Sequence, residues 1–218
     1  MSLWTMWLDT LRALLELLSS SVGLGPGLAI IVLTFIVRVV LLPASWTCVY
    51  RSCLHQKRVR RLQPELERIK QRFHGEPGRL AEQTLEVYRK RGVRMIEPGP
   101  IAGTLIQMPV LLGMFQVLRQ GVTSVRFLWI ANLSRPDIWI AAIVAATTAL
   151  MMLANPDLPE QTRILLIVLP SIIAFVFALK FASALALYWA ASNCFTAAQT
   201  ASVHYVVGRR IRSGAMEL

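Results

Sequence analysis

Acidic residues are scarce in this chain, 12 against 23 basic ones, and none of them falls inside its long apolar runs. Its three cysteines, Cys48, Cys53 and Cys194, form neither a CxxC pair nor a Cys/His ligand set at motif spacing, which argues against a disulfide framework or a zinc-binding module. No phosphate-cradling glycine loop and no nucleophile with an adjacent base occurs either, so a covalent enzyme and an ATP-driven pump are disfavoured. No metal and no cofactor is expected. His55, His74 and His204 lack ligand-spaced neighbours and read as solvated surface, and the cysteines read as apolar filler. The first residues show no basic segment leading into a small-residue cleavage site, so the chain is read as unprocessed.

What is present is apolar. Hydrophobic residues make up 55% of 218, more than a soluble domain of this length can cover with polar surface, and the bilayer is the solvent that fits. A net charge of +11 would suit nucleic acid if it lay on a folded soluble surface, but here the basic residues sit between apolar runs. Direct nucleic-acid binding is not expected. The pattern predicts an all-α membrane protein with five transmembrane helices around a hydrophilic groove, a cytoplasmic helical hairpin and an N-terminal interfacial helix.

Residues 1–22 form the interfacial helix: Trp4, Trp7, Leu8, Leu11, Leu14, Leu15 and Leu18 share a broad face, with Asp9, Arg12 and Glu16 opposite. Span one lies in residues 23–49, running from Leu24 to Thr47. Spans two to five occupy residues 101–207, at about Ile101–Leu118, Ile138–Ala154, Ile164–Leu179 and Ala182–Val207, and residues 208–218 are a short cytoplasmic tail. With the N-terminus outside and the C-terminus inside, the basic residues from Arg51 to Arg94, with Arg163, Arg209, Arg210 and Arg212, all fall on the inner side. Within residues 50–100, Val59, Leu62, Leu66, Ile69 and Phe73 mark one amphipathic helix and Leu80, Thr84, Val87 and Tyr88 a second. Residues His74 to Gly78 turn the chain between them, and Pro64 is expected to kink or restart the first helix. Ala141, Ala145 and Ala149 form a small-residue ladder suited to helix packing in lipid.

Arg38 needs a reason to exist. A charge deep in a span costs roughly 2.5 to 3.5 kcal/mol on insertion scales, and the inner end of the helix is about 12 Å away, too far to snorkel. The spans hold no acidic partner, only neutral polar groups: Thr34 one turn outward of Arg38, and Gln107, Thr147, Thr148, Ser192, Asn193 and Gln199 on other spans. A hydrated, positively charged indentation among the helices accommodates such a guanidinium. One use for it is an anion site in a small transporter or channel, although internal repeats and broken helices are not evident.

A second use comes from resemblance. The stretch Ile30 to Arg38 ending in Leu42-Pro43, then Leu62-Gln63-Pro64-Glu65-Leu66, Gln107-Met108-Pro109, Phe127-Leu128-Trp129 with Leu133-Ser134, and Leu187-Tyr188-Trp189 with Ser192-Asn193 resembles the YidC/Oxa/Alb membrane-protein insertases, in order, from about residue 24 to residue 200. One departure is Ala182-Ser183-Ala184, where that family usually shows Pro-Ala-Gly. The resemblance implies a groove open to cytoplasm and lipid and closed outside. In it Arg38 would be the groove arginine, Thr34 and Trp189 would meet the incoming client helix, and the hairpin would recruit clients. It also implies a bacterial inner-membrane location and nascent hydrophobic membrane proteins and the lipid bilayer as partners. The ribosome and the Sec translocon are further candidates.

Overall fold

The computed structural model describes residues 2–95, 97–121, 125–159 and 162–214, and among these every extended regular element is a helix. Helix α1 spans Leu3–Glu16 and runs into one π-helical turn, Leu17–Ser21. It is followed by α2 (Pro26–Val40), α3 (Leu42–Arg72), α4 (Pro77–Lys90), α5 (Gly99–Gly121), α6 (Ile138–Leu153), α7 (Arg163–Ala178) and α8 (Ser183–Arg212). Residues 215–218 of the expected tail lie outside the described residues.

Local chemistry sets several of these boundaries. The Ser2 hydroxyl caps α1 by accepting from the Thr5 amide, and the Asp137 carboxylate caps α6 by accepting from the Trp139 and Ile140 amides. Prolines 26 and 77 open α2 and α4, where a missing N–H costs nothing. The expected unbroken span from Leu24 to Thr47 is instead a bent pair: α2 and α3 meet at Leu41 at an angle of 68°. Pro43 explains it, since it cannot donate to the carbonyl four residues back and its ring crowds that turn. Pro64, expected to kink or restart the first hairpin helix, does not restart it, and α3 is continuous through it. This proline is exposed, so the carbonyl it leaves unbonded can be hydrated.

Helix α3 carries the chain from the bend out to the turn without interruption, so its distal part is the hairpin's first arm. The two arms close where Leu62 and Val87 are buried, and Arg91 donates to Glu65 at 3.1 Å. Helix α1 lies on α5: the Trp7 indole donates to the Pro109 carbonyl, passing over Gly113, where even a Cβ would come within 2.7 Å of it.

Helix α6 packs against α7 and α8, and α8 also packs on α2 and α3. The ladder residue Ala141 is fully buried in this core, with Ile30, Leu33, Val144 and Tyr188. At the end of the bundle away from the hairpin, the segment 125–137 folds over as a cap. Phe127 and Ile130 exchange backbone hydrogen bonds, Leu133 is fully buried, and Ser183 donates both its amide and its hydroxyl to the Arg135 carbonyl. Outward, α7 presents Ile164, Leu165, Ile172 and Phe177, each more than half exposed, and α2 presents Val39 and Val40. Apolar surface of this extent is unfavourable in water. Among the described residues no single helix is long and apolar enough to cross a membrane, but the bent pair α2–α3 is so by length and composition.

Candidate functional site

Polar contacts tie the bent pair to α8, among them Arg210 to the Tyr50 hydroxyl at 3.1 Å, and the order of three buried or half-buried ones shows that the two run parallel. Arg38 on α2 donates to the Ser192 hydroxyl through both Nε (3.1 Å) and Nη2. Next, Gln199 donates to the Ser45 hydroxyl at 3.1 Å. Beyond that, Cys53 Sγ stands 3.4 Å from His204 Nδ1. Helix α8 supplies its side of this seam through Ser192, Gln199 and His204.

Between the bend, α5 and α8 lies a cavity of about 550 Å³ whose polar wall is Arg38, Ser45, Gln107, Thr196 and Gln199. Toward the hairpin its wall reaches Gln56 and Asn155, which also line a second cavity of about 550 Å³ bounded by His55, Arg60, Glu67, Tyr88 and Asp157. Arg38 thus lines a largely apolar cavity that carries a polar strip and shares Gln56 and Asn155 with the cavity on the hairpin side. The guanidinium also stands 5.9 Å from the centre of the Phe195 ring, a cation–π contact. Among the described residues no carboxylate pairs with it.

The residues singled out from sequence separate into groups. Arg38 and Gln107 share the cavity, and Gln107 donates to the Tyr188 hydroxyl at 3.2 Å. Thr34 is buried, and its hydroxyl returns to the Ile30 carbonyl of its own helix. Asn193 donates to Thr148 at 2.9 Å and Thr147 at 3.5 Å, which fastens α8 to α6. Trp189 is half-buried against the core. Sequence reasoning gave no weight to Phe195 or Ser45, and it placed Ser192 only among the available polar groups.

Two readings are corrected. His204 is not solvated surface, since its side chain is 8% exposed and Nδ1 lies 3.3 Å from Asp157 Oδ2. Cys53 is not lipid-facing filler: it is 1% exposed, and burial pushes its thiol up to about 11. Asp157, in the α6–α7 connection, meets both α8 and α3, pairing with Lys57 at 3.1 Å and Arg60 at 3.3 Å.

Comparison with known proteins finds relatives along most of the chain. The chain is 30% identical over 204 residues to the membrane protein insertase MisCA of Bacillus subtilis, covering 87% of this chain and 74% of that one. It is 32% identical over 197 residues to the membrane protein insertase YidC 1 of Halalkalibacterium halodurans (85% and 71%), and 28% identical over 180 residues to the membrane protein insertase YidC of Clostridium tetani (80% and 79%). The family model described as 60Kd inner membrane protein matches residues 17–209, nearly everything from the end of α1 to the end of α8, and the chain belongs to that family, the YidC/Oxa/Alb insertases that its motifs resemble.

Proposed function

We propose that this protein is a membrane-protein insertase of the bacterial cell membrane, and that it works by giving the polar end of a client segment a wet, positively charged path part of the way across the bilayer. The observation that carries the mechanism is Arg38, held by the neutral Ser192 hydroxyl at the wall of a cavity. Moving peptide and charged groups through hydrocarbon unaided costs several kcal/mol per group. A hydrated space shortens the dry part of that path, and a guanidinium without a carboxylate partner attracts acidic residues in the segment being moved. The client's apolar helix then leaves along the exposed apolar faces into lipid, driven by its own burial. No nucleotide enters this scheme.

In this reading the bent pair α2–α3 is the first of five crossings, the N-terminus is outside, the C-terminal end of α8 is cytoplasmic, and α1 lies in the interface. Arg38 and Gln107 are the polar groups the client meets first. Thr34 and Trp189 are further candidate contacts, and the hairpin of α3 and α4 receives the client. The bonds of Asn193 with Thr147 and Thr148 keep the α6–α8 wall in place while a client passes.

Proteoliposomes holding only this protein test the reading. A short single-span client with an acidic translocated tail is expected to insert well above the level in protein-free liposomes, and Arg38→Ala is expected to slow that client more than its neutral-tailed twin. Insertion no faster than in empty liposomes would refute the proposal.

A further inference from the structure

Where the two cavities meet, three side chains from three separate parts of the chain converge: Cys53 of α3, Asp157 of the α6–α7 connection and His204 of α8. Their donor atoms Sγ, a carboxylate oxygen and a ring nitrogen all lie within 4.8 Å of one another. Two of the edges are 3.4 Å (Sγ to Nδ1) and 3.3 Å (Nδ1 to Oδ2). Metal–ligand bonds of about 2.0 to 2.3 Å in tetrahedral geometry put neighbouring donors about 3.3 to 3.8 Å apart. Both edges fit tetrahedral zinc ligation.

Without an ion, the hydrogen bonding of this group does not close. The Asp157 side chain is 3% exposed, and its Oδ2, although 3.1 Å from the Lys57 ammonium and 3.3 Å from His204 Nδ1, receives no well-aligned hydrogen bond, while Lys57 at 3.4 Å and Arg60 at 3.3 Å donate to Oδ1. A single ring nitrogen, His204 Nδ1, faces both the thiol and the carboxylate, and it cannot serve both at once. The same fact excludes a nucleophile–base–acid relay, which needs one imidazole nitrogen for the cysteine and the other for the carboxylate. We propose that Cys53, Asp157 and His204 bind one divalent transition-metal ion, Zn²⁺ by the softness of the donor set, and that the ion staples α3, the α6–α7 connection and α8 at the hairpin end of the cavity.

A thiolate with an imidazole and one carboxylate selects zinc over magnesium or calcium, which favour all-oxygen ligation. Three protein donors leave a fourth position for water from the adjoining cavities. The obstacle is Lys57, whose ammonium is 3.1 Å from Oδ2 and neutralises the carboxylate in the ion-free state. Its long stem lets the ammonium swing toward solvent once a metal takes that oxygen. The site requires nothing of the insertase reading, and its test reads no insertion.

The experiment is a Co²⁺ titration of tag-free, metal-stripped protein in detergent. The expected result is about one Co²⁺ per chain with a thiolate-to-cobalt absorption band, displaced by Zn²⁺. The band should vanish in Cys53→Ser and His204→Gln, persist in Cys48→Ser and Cys194→Ser, and form at several-fold lower Co²⁺ in Lys57→Gln. A wild-type chain with no such band, or a band unchanged in Cys53→Ser, overturns the proposal. Should either ligand variant misfold, the melting temperature of the wild-type chain decides: zinc is expected to raise it and chelator to return it to the metal-free value, and indifference to both overturns the proposal.

Discussion

Arg38 could serve structure or substrate, and its partners separate the two. A buried arginine paired with a carboxylate leaves an uncompensated charge behind when it is truncated, at a cost of about 3 to 5 kcal/mol. Arg38 has a serine hydroxyl and a phenyl ring instead, and a cavity on its open side. Truncation removes one charged hydrogen-bonding group and also the cost of holding a charge at that depth, and these oppose each other. Arg38→Ala is therefore expected to change unfolding free energy by less than about 2 kcal/mol, with normal helix content, while insertion of acidic-tailed clients falls. Thermal or denaturant unfolding in detergent checks the first part, and a loss of 3 kcal/mol or more would place the arginine in the scaffold. The importance of Arg38 was legible in the sequence because a charge within an apolar run stands out by itself. Its partners were less so: Ser192 is 154 residues away, and which of several neutral polar residues answers Arg38 depends on how α8 is rotated against α2.

At the scale of the elements, hydropathy located the apolar helices well and located the bend badly. The expected spans three and four coincide with α6 and α7 to within a residue or two, because composition changes sharply at Asp137, Ala154 and Arg163. At Leu41 composition does not change, and only Pro43 signals that the helix turns by 68° and opens the space beside Arg38. The cap was likewise invisible, since it depends on backbone partners such as Arg135 with Ser183 and on a glycine. Gly27 of α2 lies under the Phe127 ring so closely that a Cβ there would come within 2.2 Å of it. Gly27→Ala is expected to push the ring and its loop away, destabilising the protein by about 1 to 3 kcal/mol as overpacking does. In a Phe127→Ala background the same substitution has nothing to strike, so most of its penalty should vanish. A double-mutant cycle by denaturant unfolding measures this, and strictly additive effects would mean that the cap does not rest on that contact.

For the molecule as a whole, orientation rests on the distribution of charge. The hairpin side carries the cationic run from Arg51 to Arg94, together with Arg163 and with Arg209, Arg210 and Arg212 at the end of α8, whereas the other side keeps Arg12, Arg119, Arg126, Arg135 and Lys180. Positive charge is retained on the cytoplasmic face, so the hairpin should be inside and the cap outside. The native thiols are poor reporters of this. Cys53 is buried in contact with His204, Cys48 is in the cavity wall, and Cys194 is exposed on α8 within the apolar part of the bundle. Introduced cysteines avoid the difficulty. With Cys48 and Cys194 replaced by serine and Cys53 left in place, Arg126→Cys reports the cap and Arg79→Cys the hairpin, since both native side chains are exposed. An impermeant maleimide added to intact spheroplasts is expected to label Arg126→Cys and spare Arg79→Cys, with both labelled after lysis. The reverse pattern would put the cavity's hairpin-side mouth outside the cell, where a client leaving the ribosome could not enter it, and the insertion mechanism argued from Arg38 would fall with the topology.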